Sequence, residues 1–228
     1  MAMRVQIAGV SSLEEAMATA DAGCDALGFT VRLPSGIHDD LTEAKARGII
    51  AALPPFVASV AITYVETPRE AVELCRYLGV NTLQLHGPFP THEIPVVRVG
   101  LPHLKIIRAV HVTGPEARAQ ARALARQVDA LILDTYDAAT GRHGATGRTH
   151  DWSISRDIVA EVPVPVILAG GLTPENVAEA IAAVRPWGVD VHTGIENPDG
   201  TRNLDLIRAF VRNAKWGGAS APPADGRY

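Results

Sequence analysis

Three side chains that can transfer protons follow short apolar runs of the sequence. Asp134 ends the run Ala-Leu-Ile-Leu, His86 follows Leu-Gln-Leu, and His192 follows Val-Asp-Val. A carboxylate at the end of a buried strand is costly unless it is paired, and the same burial can raise its pKa enough for general acid or base catalysis. Asp134 is therefore our first candidate catalytic residue, although a hydrogen-bonded strand cap would use the same residue type.

The two histidines are ambiguous on sequence alone. A single histidine at such a position is more often structural than catalytic. His86 suits either a wall residue that is hydrogen-bonded to a neighbouring strand or a substrate contact. His192 lies beside a turn with the composition of a phosphate-binding loop, and we predict it as a catalytic partner of Asp134.

Two glycine-containing turns have the composition of an anion site. Gly170 and Gly171 follow one apolar run, and Thr193 and Gly194 follow the next. Such turns expose backbone N–H groups, and the N-terminus of a following helix adds positive charge for a phosphate. Tight turns alone would also use glycine, but two of them after neighbouring runs favour phosphate binding. We therefore expect a phosphorylated small molecule as the partner.

Short apolar runs alternate with helical patterns, and these elements must position the candidate residues. The runs cover residues 4–8, 25–30, 56–65, 82–85, 105–110, 130–134, 164–169 and 189–193. Near-continuous apolar runs of this length are typical of parallel strands that are buried on both faces. Helical spacing of apolar residues is found between several of them, at 11–22, 41–53, 68–78, 115–127, 174–184 and 204–215.

Eight strand units predict a single (β/α)8 barrel over residues 1–216, with an open doubly wound sheet as the alternative. Prolines at positions 88, 90, 95 and 102 predict a short or irregular fourth connection. Residues 217–228 are small, polar and proline-rich, which predicts a disordered tail. Active groups of such barrels lie at the carboxyl ends of the strands, where the candidate residues fall.

Composition argues against several classes of protein. The 228 residues include 21 basic and 25 acidic side chains, and this balance without a basic stripe argues against a nucleic-acid partner. The sequence contains no apolar stretch of membrane-spanning length and no signal-peptide pattern at its start. Two cysteines form no disulfide framework and suit a reducing cytoplasm. We expect a cytoplasmic monomer or homodimer that uses neither a metal nor a cofactor.

Six motifs in order resemble those of the phosphoribosylanthranilate isomerase family, and the resemblance covers about residues 5–211. They are Ala-Gly-Cys-Asp-Ala-Leu-Gly-Phe (22–29), Leu-Gln-Leu-His-Gly (83–87), Leu-Ile-Leu-Asp-Thr-Tyr (131–136), Gly-Ala-Thr-Gly-Arg-Thr-His-Asp-Trp (144–152), Pro-Val-Ile-Leu-Ala-Gly-Gly-Leu-Thr-Pro-Glu-Asn-Val (165–177) and Val-Asp-Val-His-Thr-Gly-Ile-Glu (189–196). The resemblance implies a step of tryptophan biosynthesis, an Amadori rearrangement in which a ribosylamine phosphate opens and becomes an aminodeoxyribulose phosphate.

The resemblance also implies residue roles. The reaction needs an acid at the ring oxygen and a base at C2′, and the family's acid corresponds to Asp134. The family's base is a cysteine in Lys-Ile-Cys-Gly, and here Ala8 stands in its place. The family's arginine, which receives the anthranilate carboxylate, is replaced by Ile37. Arg32 is the nearby candidate for that contact, and His192 replaces a family serine.

The retained and the lost groups together predict a diverged family member. The phosphate residues Gly170, Gly171, Thr193 and Gly194 are kept, with Ala8 and His86 expected to line the substrate pocket. We predict an isomerase or lyase of altered substrate or chemistry, acting on a phosphorylated sugar conjugate in specialised metabolism. The alternatives are a genuine phosphoribosylanthranilate isomerase that uses a different base, and a phosphosugar-binding protein without catalysis.

Overall fold

The computed structural model describes residues 2–34, 41–137, 142–143 and 150–217. Its strands are β1 (Arg4–Ile7), β2 (Ala26–Thr30), β3 (Ala58–Thr63), β4 (Thr82–Leu85), β5 (Lys105–Val112), β6 (Ala130–Asp137), β7 (Arg142–His143), β8 (Val166–Leu168) and β9 (Gly188–Val191). All except β7 are parallel and pair in the order β5-β4-β3-β2-β1-β9-β8-β6, and a β5–β6 pairing closes the ring. This closed ring confirms the predicted (β/α)8 barrel and excludes the open sheet.

Eight α-helices surround the barrel in the described ranges. They are α1 (Leu13–Asp21), α2 (Glu43–Ala51), α3 (Pro68–Leu78), α4 (Ile94–Gly100), α5 (Ala117–Leu124), α6 (Trp152–Glu161), α7 (Val177–Val184) and α8 (Leu204–Trp216). Side chains cap the starts of four of these helices: Ser12, Thr42, Thr67 and Asp151 each accept a backbone N–H at the start of α1, α2, α3 and α6. None of these helices has the length and apolar character needed to cross a membrane.

Two helices differ from the sequence-based expectation. The fourth connection is irregular, one of the two predicted forms, rather than short: a 3₁₀ turn at Thr91–Glu93 leads into the seven-residue helix α4, which accommodates Pro95 in its first turn. Helix α6 was not predicted at all. Its buried face includes only Ser155 and Ile158 as fully buried residues, so the apolar periodicity is weak, although Asp151 accepts the N–H of Ser153 as an N-cap at 2.9 Å.

Side chains alternate along each strand between the helices and the barrel interior. Outward residues such as Val5, Leu27 and Phe29 join the main apolar core under the helices. The interior holds smaller apolar clusters, one of them formed by Ala8, Val60 and Ile62. Polar interior residues follow at the carboxyl ends of the strands. We call this end of the barrel, whose residues are described below, the mouth. Ile37, most of the motif at 144–152 and residues 218–228 lie outside the described ranges, so the predicted tail stays a prediction.

Candidate active site

Asp134 faces the barrel interior near the carboxyl end of β6 and is buried. Its Oδ2 lies 3.2 Å from His86 Nε2, and its Oδ1 accepts the backbone N–H of Thr135 at 2.7 Å. Burial alone would raise the pKa of this carboxyl, but the hydrogen bond and the charge of His86 prevail and hold the pKa below its usual range. The structure therefore brings Asp134 and His86 together as an oriented pair.

A chain of side-chain amides sets the tautomer of His86. Gln6 Nε2 donates to Gln84 Oε1 at 2.9 Å, which leaves Gln84 Nε2 to donate to His86 Nδ1 at 3.2 Å. Because Nδ1 accepts a hydrogen bond, the ring proton lies on Nε2 and points to Asp134. The side chains of Gln6, Gln84, His86 and Asp134 are all buried. Gln6 and Gln84 are therefore part of the site, although neither was predicted as a functional residue.

His111 adds a second imidazole to this side of the mouth. Its Cα is paired with that of Asp134 across β5 and β6, and its ring meets the edge of the His86 ring at 5.4 Å between centroids. Ligand atoms of His86, His111 and Asp134 all lie within 4.8 Å of one another. Two imidazoles and a carboxylate suit a divalent transition metal, so this group is the candidate for holding an ion within the described chain.

Asp190 is a second buried carboxyl in the mouth and was not predicted from the sequence. It faces the interior from β9, its Cα is paired with that of Gln6, and Gln6 donates a hydrogen bond to it. Its Oδ1 is buried and accepts no hydrogen bond from the residues that the structure describes. Burial, followed by the negative charge of Asp134, raises the pKa of Asp190 to about 7.

Ala8 and His192 lie at the adjoining ends of β1 and β9. Ala8 is buried, and its N–H donates to Val191 O at 3.0 Å. A Cβ added to Gly9 would lie 2.3 Å from His192 Nε2, so the imidazole packs directly on the Gly9 backbone. His192 Nδ1 is 4.0 Å from Glu196 Oε1. The structure places both predicted residues on the Asp190 side of the mouth.

Arg202, in the segment before α8, fastens these two strand ends together. Its guanidinium donates to the backbone oxygens of Ala8 at 2.8 Å and of His192 at 2.5 Å. It also pairs with Glu196 at 3.1 Å and with Glu15 at 3.4 Å. The side chain of Arg202 is only 10% exposed. A buried, fully paired guanidinium therefore fixes the backbone around Ala8 and His192.

The two glycine turns meet at the end of β8 and β9. Gly170 and Gly171 have φ angles of 83° and 67°, a region that favours glycine. A Cβ on Gly194 would lie 1.9 Å from Leu172 O, so the two turns touch backbone to backbone. Thr193 begins a short 3₁₀ helix there. The four predicted residues are thus neighbours, while phosphate binding itself stays a prediction.

Arg32 follows β2 and points its charge towards the surrounding helices. Its Nε donates to Glu43 Oε1 of α2 at 2.7 Å. Glu70 and Glu73 of α3 are further carboxylates that act on it, and together with the Glu43 hydrogen bond they raise the pKa of Arg32. The structure does not bring Arg32 to Asp134, and its contact with a substrate stays a prediction.

The chain is similar to known proteins over nearly its whole length. A family model described as N-(5′-phosphoribosyl)anthranilate isomerase matches residues 5–213. N-(5′-phosphoribosyl)anthranilate isomerase 2 of Methanosarcina mazei is 40% identical over 213 residues, which are 93% of this chain and 94% of that protein.

Two solved structures show the same likeness. Phosphoribosyl anthranilate isomerase from Thermotoga maritima is 32% identical with a TM-score of 0.82, over 93% of this chain and 98% of that one. A second structure of such an isomerase, in complex with reduced 1-(o-carboxyphenylamino)-1-deoxyribulose 5-phosphate, is 31% identical with a TM-score of 0.79 over the same shares.

These relatives overturn one prediction. An enzyme of altered substrate or chemistry was expected because Ala8 replaces a catalytic cysteine and Ile37 replaces the family's carboxylate-binding arginine, yet curated proteins 40% identical to this chain carry the name of the isomerase itself. That prediction is wrong. Its physical premise was that losing one proton acceptor removes the reaction, whereas the mouth contains Asp190 as a further buried carboxyl.

Proposed function

Since the chain belongs to the phosphoribosylanthranilate isomerase family, we propose that it isomerises N-(5′-phosphoribosyl)anthranilate in tryptophan biosynthesis. The observation that carries the proposal is the 40% identity to curated isomerases over 93% of the chain. The reaction opens the ribose ring of an N-glycoside and moves two hydrogens to give an aminodeoxyribulose phosphate. It needs proton transfers at the ring oxygen and at C2′.

The His86–Asp134 pair supports the proton transfer to the ring oxygen. Asp134 is described above as an ionised carboxylate. When the His86–Asp134 pair binds one further proton, Asp134 can deliver that proton to the ring oxygen. The C1′–O bond then breaks with its electrons on oxygen, and the nitrogen lone pair forms a C=N bond. Because Thr135 and His86 orient the two carboxylate oxygens, Asp134 needs little rearrangement to act.

The meeting of the two glycine turns supports a phosphate site at Gly170, Gly171, Thr193 and Gly194. One solved relative is described with a bound deoxyribulose 5-phosphate derivative, and we propose that this chain holds its substrate's phosphate between the turns after β8 and β9. Backbone N–H groups of such turns suit a phosphate dianion. Phosphate held there would place the sugar over the polar mouth, between Asp134 and Asp190.

A turnover assay tests the proposed function. Purified protein is expected to quench the fluorescence of phosphoribosylanthranilate, and its gene is expected to restore growth without tryptophan to an auxotroph that lacks the isomerase. Folded protein that does neither would contradict the proposal. Glu93→Gln is a matched carboxylate control, because Glu93 lies at the start of α4, on the outer ring of helices, and its removal is expected to leave turnover unchanged.

We also propose that the protein forms a homodimer through the amino-terminal face of the barrel. A structure of the Thermotoga maritima relative is described as that of a dimeric isomerase. In this chain Phe56, between α2 and β3, is fully exposed, and its φ of 72° is costly for a non-glycine residue.

The same face offers a receptor for that side chain. A largely apolar cavity of about 140 Å³ opens there, and Ala26, Ala58 and Val60 are among its lining residues. The half-exposed Trp187 borders it. A protruding aromatic ring and an apolar cavity on one face are self-complementary, as a two-fold interface requires. The interface would leave the mouth at the opposite end of the barrel open.

We propose the cytoplasm as the site of this reaction. Cys24 and Cys75 are both free and buried, and burial raises the pKa of each thiol to about 12. Unpaired, unreactive thiols in the core are typical of a reducing compartment.

A further inference from the structure

We infer that Asp190 is the proton acceptor that stands in for the missing cysteine and removes the C2′ proton of the ring-opened substrate. The inference rests on the proposed function and names the base that this function needs. Ala8 ends in a methyl group, which cannot accept a proton, so another side chain at this corner of the mouth must do so.

The position of Asp190 carries the first step of the argument. Strand β9 is hydrogen-bonded to β1 along its length, and Asp190 is paired with Gln6, two residues before Ala8. The carboxyl therefore projects into the barrel interior level with Gln6, one side-chain layer below Ala8. His86 lies across the ring at the end of β4, whereas Asp134 projects from β6, which only β8 separates from β9, so a substrate over the mouth would meet both carboxyls.

The surroundings of Asp190 prepare it to take a proton. Its Oδ1 is buried and accepts no hydrogen bond among the described residues, while Gln6 donates to the carboxyl. A buried acceptor without a donor is unfavourable, and a proton or a substrate hydroxyl would satisfy it. A base works best when its pKa is near the operating pH, and the pKa of Asp190, raised by burial and by Asp134, is about 7.

Electrostatics favour proton uptake at Asp190. A proton on Asp190 removes one of two negative charges that repel each other, because Asp134 is ionised nearby. The imidazole of His192 instead packs on the Gly9 backbone beside the guanidinium of Arg202, which holds the His192 carbonyl.

The transfers balance over one turnover. After ring opening, Asp190 takes the C2′ proton, the C–H electrons form a C1′=C2′ bond, and the C=N electrons return to nitrogen. Asp190 then gives its proton to C1′, while the enol hydroxyl at C2′ returns a proton to the His86–Asp134 pair. The product is a ketone, and both carboxyls regain their starting charge.

The test combines Asp190→Asn with restoration of the cysteine in the full-length protein. We expect Asp190→Asn to lower kcat for phosphoribosylanthranilate at least about 100-fold, as is typical for loss of a positioned base. Adding Ala8→Cys to that variant is expected to recover at least about tenfold, because a thiolate at position 8 replaces the lost acceptor. His192→Ala and His192→Ala/Ala8→Cys form the matched pair for the competing histidine.

The pH dependence of the unmodified protein is an independent measurement that needs no variant. Because Asp190 must be ionised to accept a proton, kcat is expected to rise with pH through about 7. We call this rise of kcat the pH limb. The charged groups that set its midpoint are Asp134, His86 and His192, which face Asp190 from β6, the end of β4 and the end of β9. In Asp190→Asn/Ala8→Cys the limb is expected to move to higher pH, where a thiol ionises.

The outcomes separate this inference from the proposed function. Wild-type protein without any turnover contradicts the proposed function. Active wild-type protein overturns the inference if Asp190→Asn keeps turnover within about threefold, if Ala8→Cys rescues His192→Ala but not Asp190→Asn, or if kcat shows no limb between about pH 6 and pH 8. Should Asp190→Asn fail to fold, the wild-type pH limb still decides.

Discussion

Replacing Asp190 by asparagine is expected to stabilise the fold at neutral pH while it removes the base. Asparagine keeps the shape of the side chain and can still accept the hydrogen bond from Gln6. It removes a carboxyl that burial and the charge of Asp134 keep from ionising. The native state therefore binds a proton at Asp190 more tightly than the unfolded chain does, so ionisation at higher pH works against folding.

The size of the effect follows from the pKa. The pKa of Asp190 rises from 3.8 in an unburied aspartate to about 7 in the fold, and each pKa unit corresponds to about 1.36 kcal/mol. The ionised carboxyl therefore lowers the free energy of unfolding by about 4 kcal/mol above pH 7, and by almost nothing below pH 4. About 2.5 kcal/mol of this change falls between pH 5 and pH 8. Over that interval Asp190→Asn should gain stability relative to the wild type by this amount.

Urea unfolding followed by tryptophan fluorescence measures the difference between the two proteins at each pH, so that groups they share cancel. Asp25→Asn is the matched control, since burial of Asp25 is outweighed by hydrogen bonds from Arg4, Val5 and Lys215, which lower its pKa. Its contribution is present above the unfolded pKa and is lost only on acidification below it, so the difference for Asp25→Asn should be flat between pH 5 and pH 8 and should change with the opposite sign below about pH 4. A difference for Asp190→Asn that is flat, or that falls with rising pH, would refute the reasoning.

Three further predictions concern the other parts of the molecule. Asp134→Asn should lower kcat by about 100-fold or more in the fluorescence assay while the variant still binds a product analogue, because only proton transfer is removed; normal turnover would contradict its role. Arg202→Met should lower the free energy of unfolding by about 3–5 kcal/mol, since it leaves the buried Glu15 and the partly buried Glu196 without this partner; a loss below about 1 kcal/mol in urea would contradict the proposed role of Arg202. Phe56→Glu should give a monomer by analytical ultracentrifugation where the wild type is a dimer, and an unchanged mass would refute the proposed interface.

The barrel could be predicted from the sequence because its strands are buried on both faces. Each strand unit leaves a near-continuous apolar run, and eight of them in alternation with helices leave few topologies. Helix α6 escaped prediction because its inner face includes the small polar Ser155 beside Ile158. The sequence signal that could have predicted α6 is a single capping residue rather than a periodic pattern, namely the carboxylate of Asp151.

The site was only half predictable. Asp134 and His86 end apolar runs, so their positions are visible in the sequence. The amides that orient them are not, because Gln6 and Gln84 meet across 78 residues of chain. Asp190 did leave a signal, since it stands between Val189 and Val191 in a buried run, but its pKa depends on Asp134, which only the closed barrel brings near.

Arg202 also has a consequence for how the chain folds. It joins the carbonyl of Ala8 to a residue 194 positions later, and β1 finds its partner β9 only across almost the whole described chain. Contacts of such sequence separation form late, because a long loop must close before they contribute. During synthesis, β1 therefore keeps one unpaired edge until the last strand has left the ribosome. That exposed edge is the point at which an incomplete chain is most open to aggregation or to capture by a chaperone.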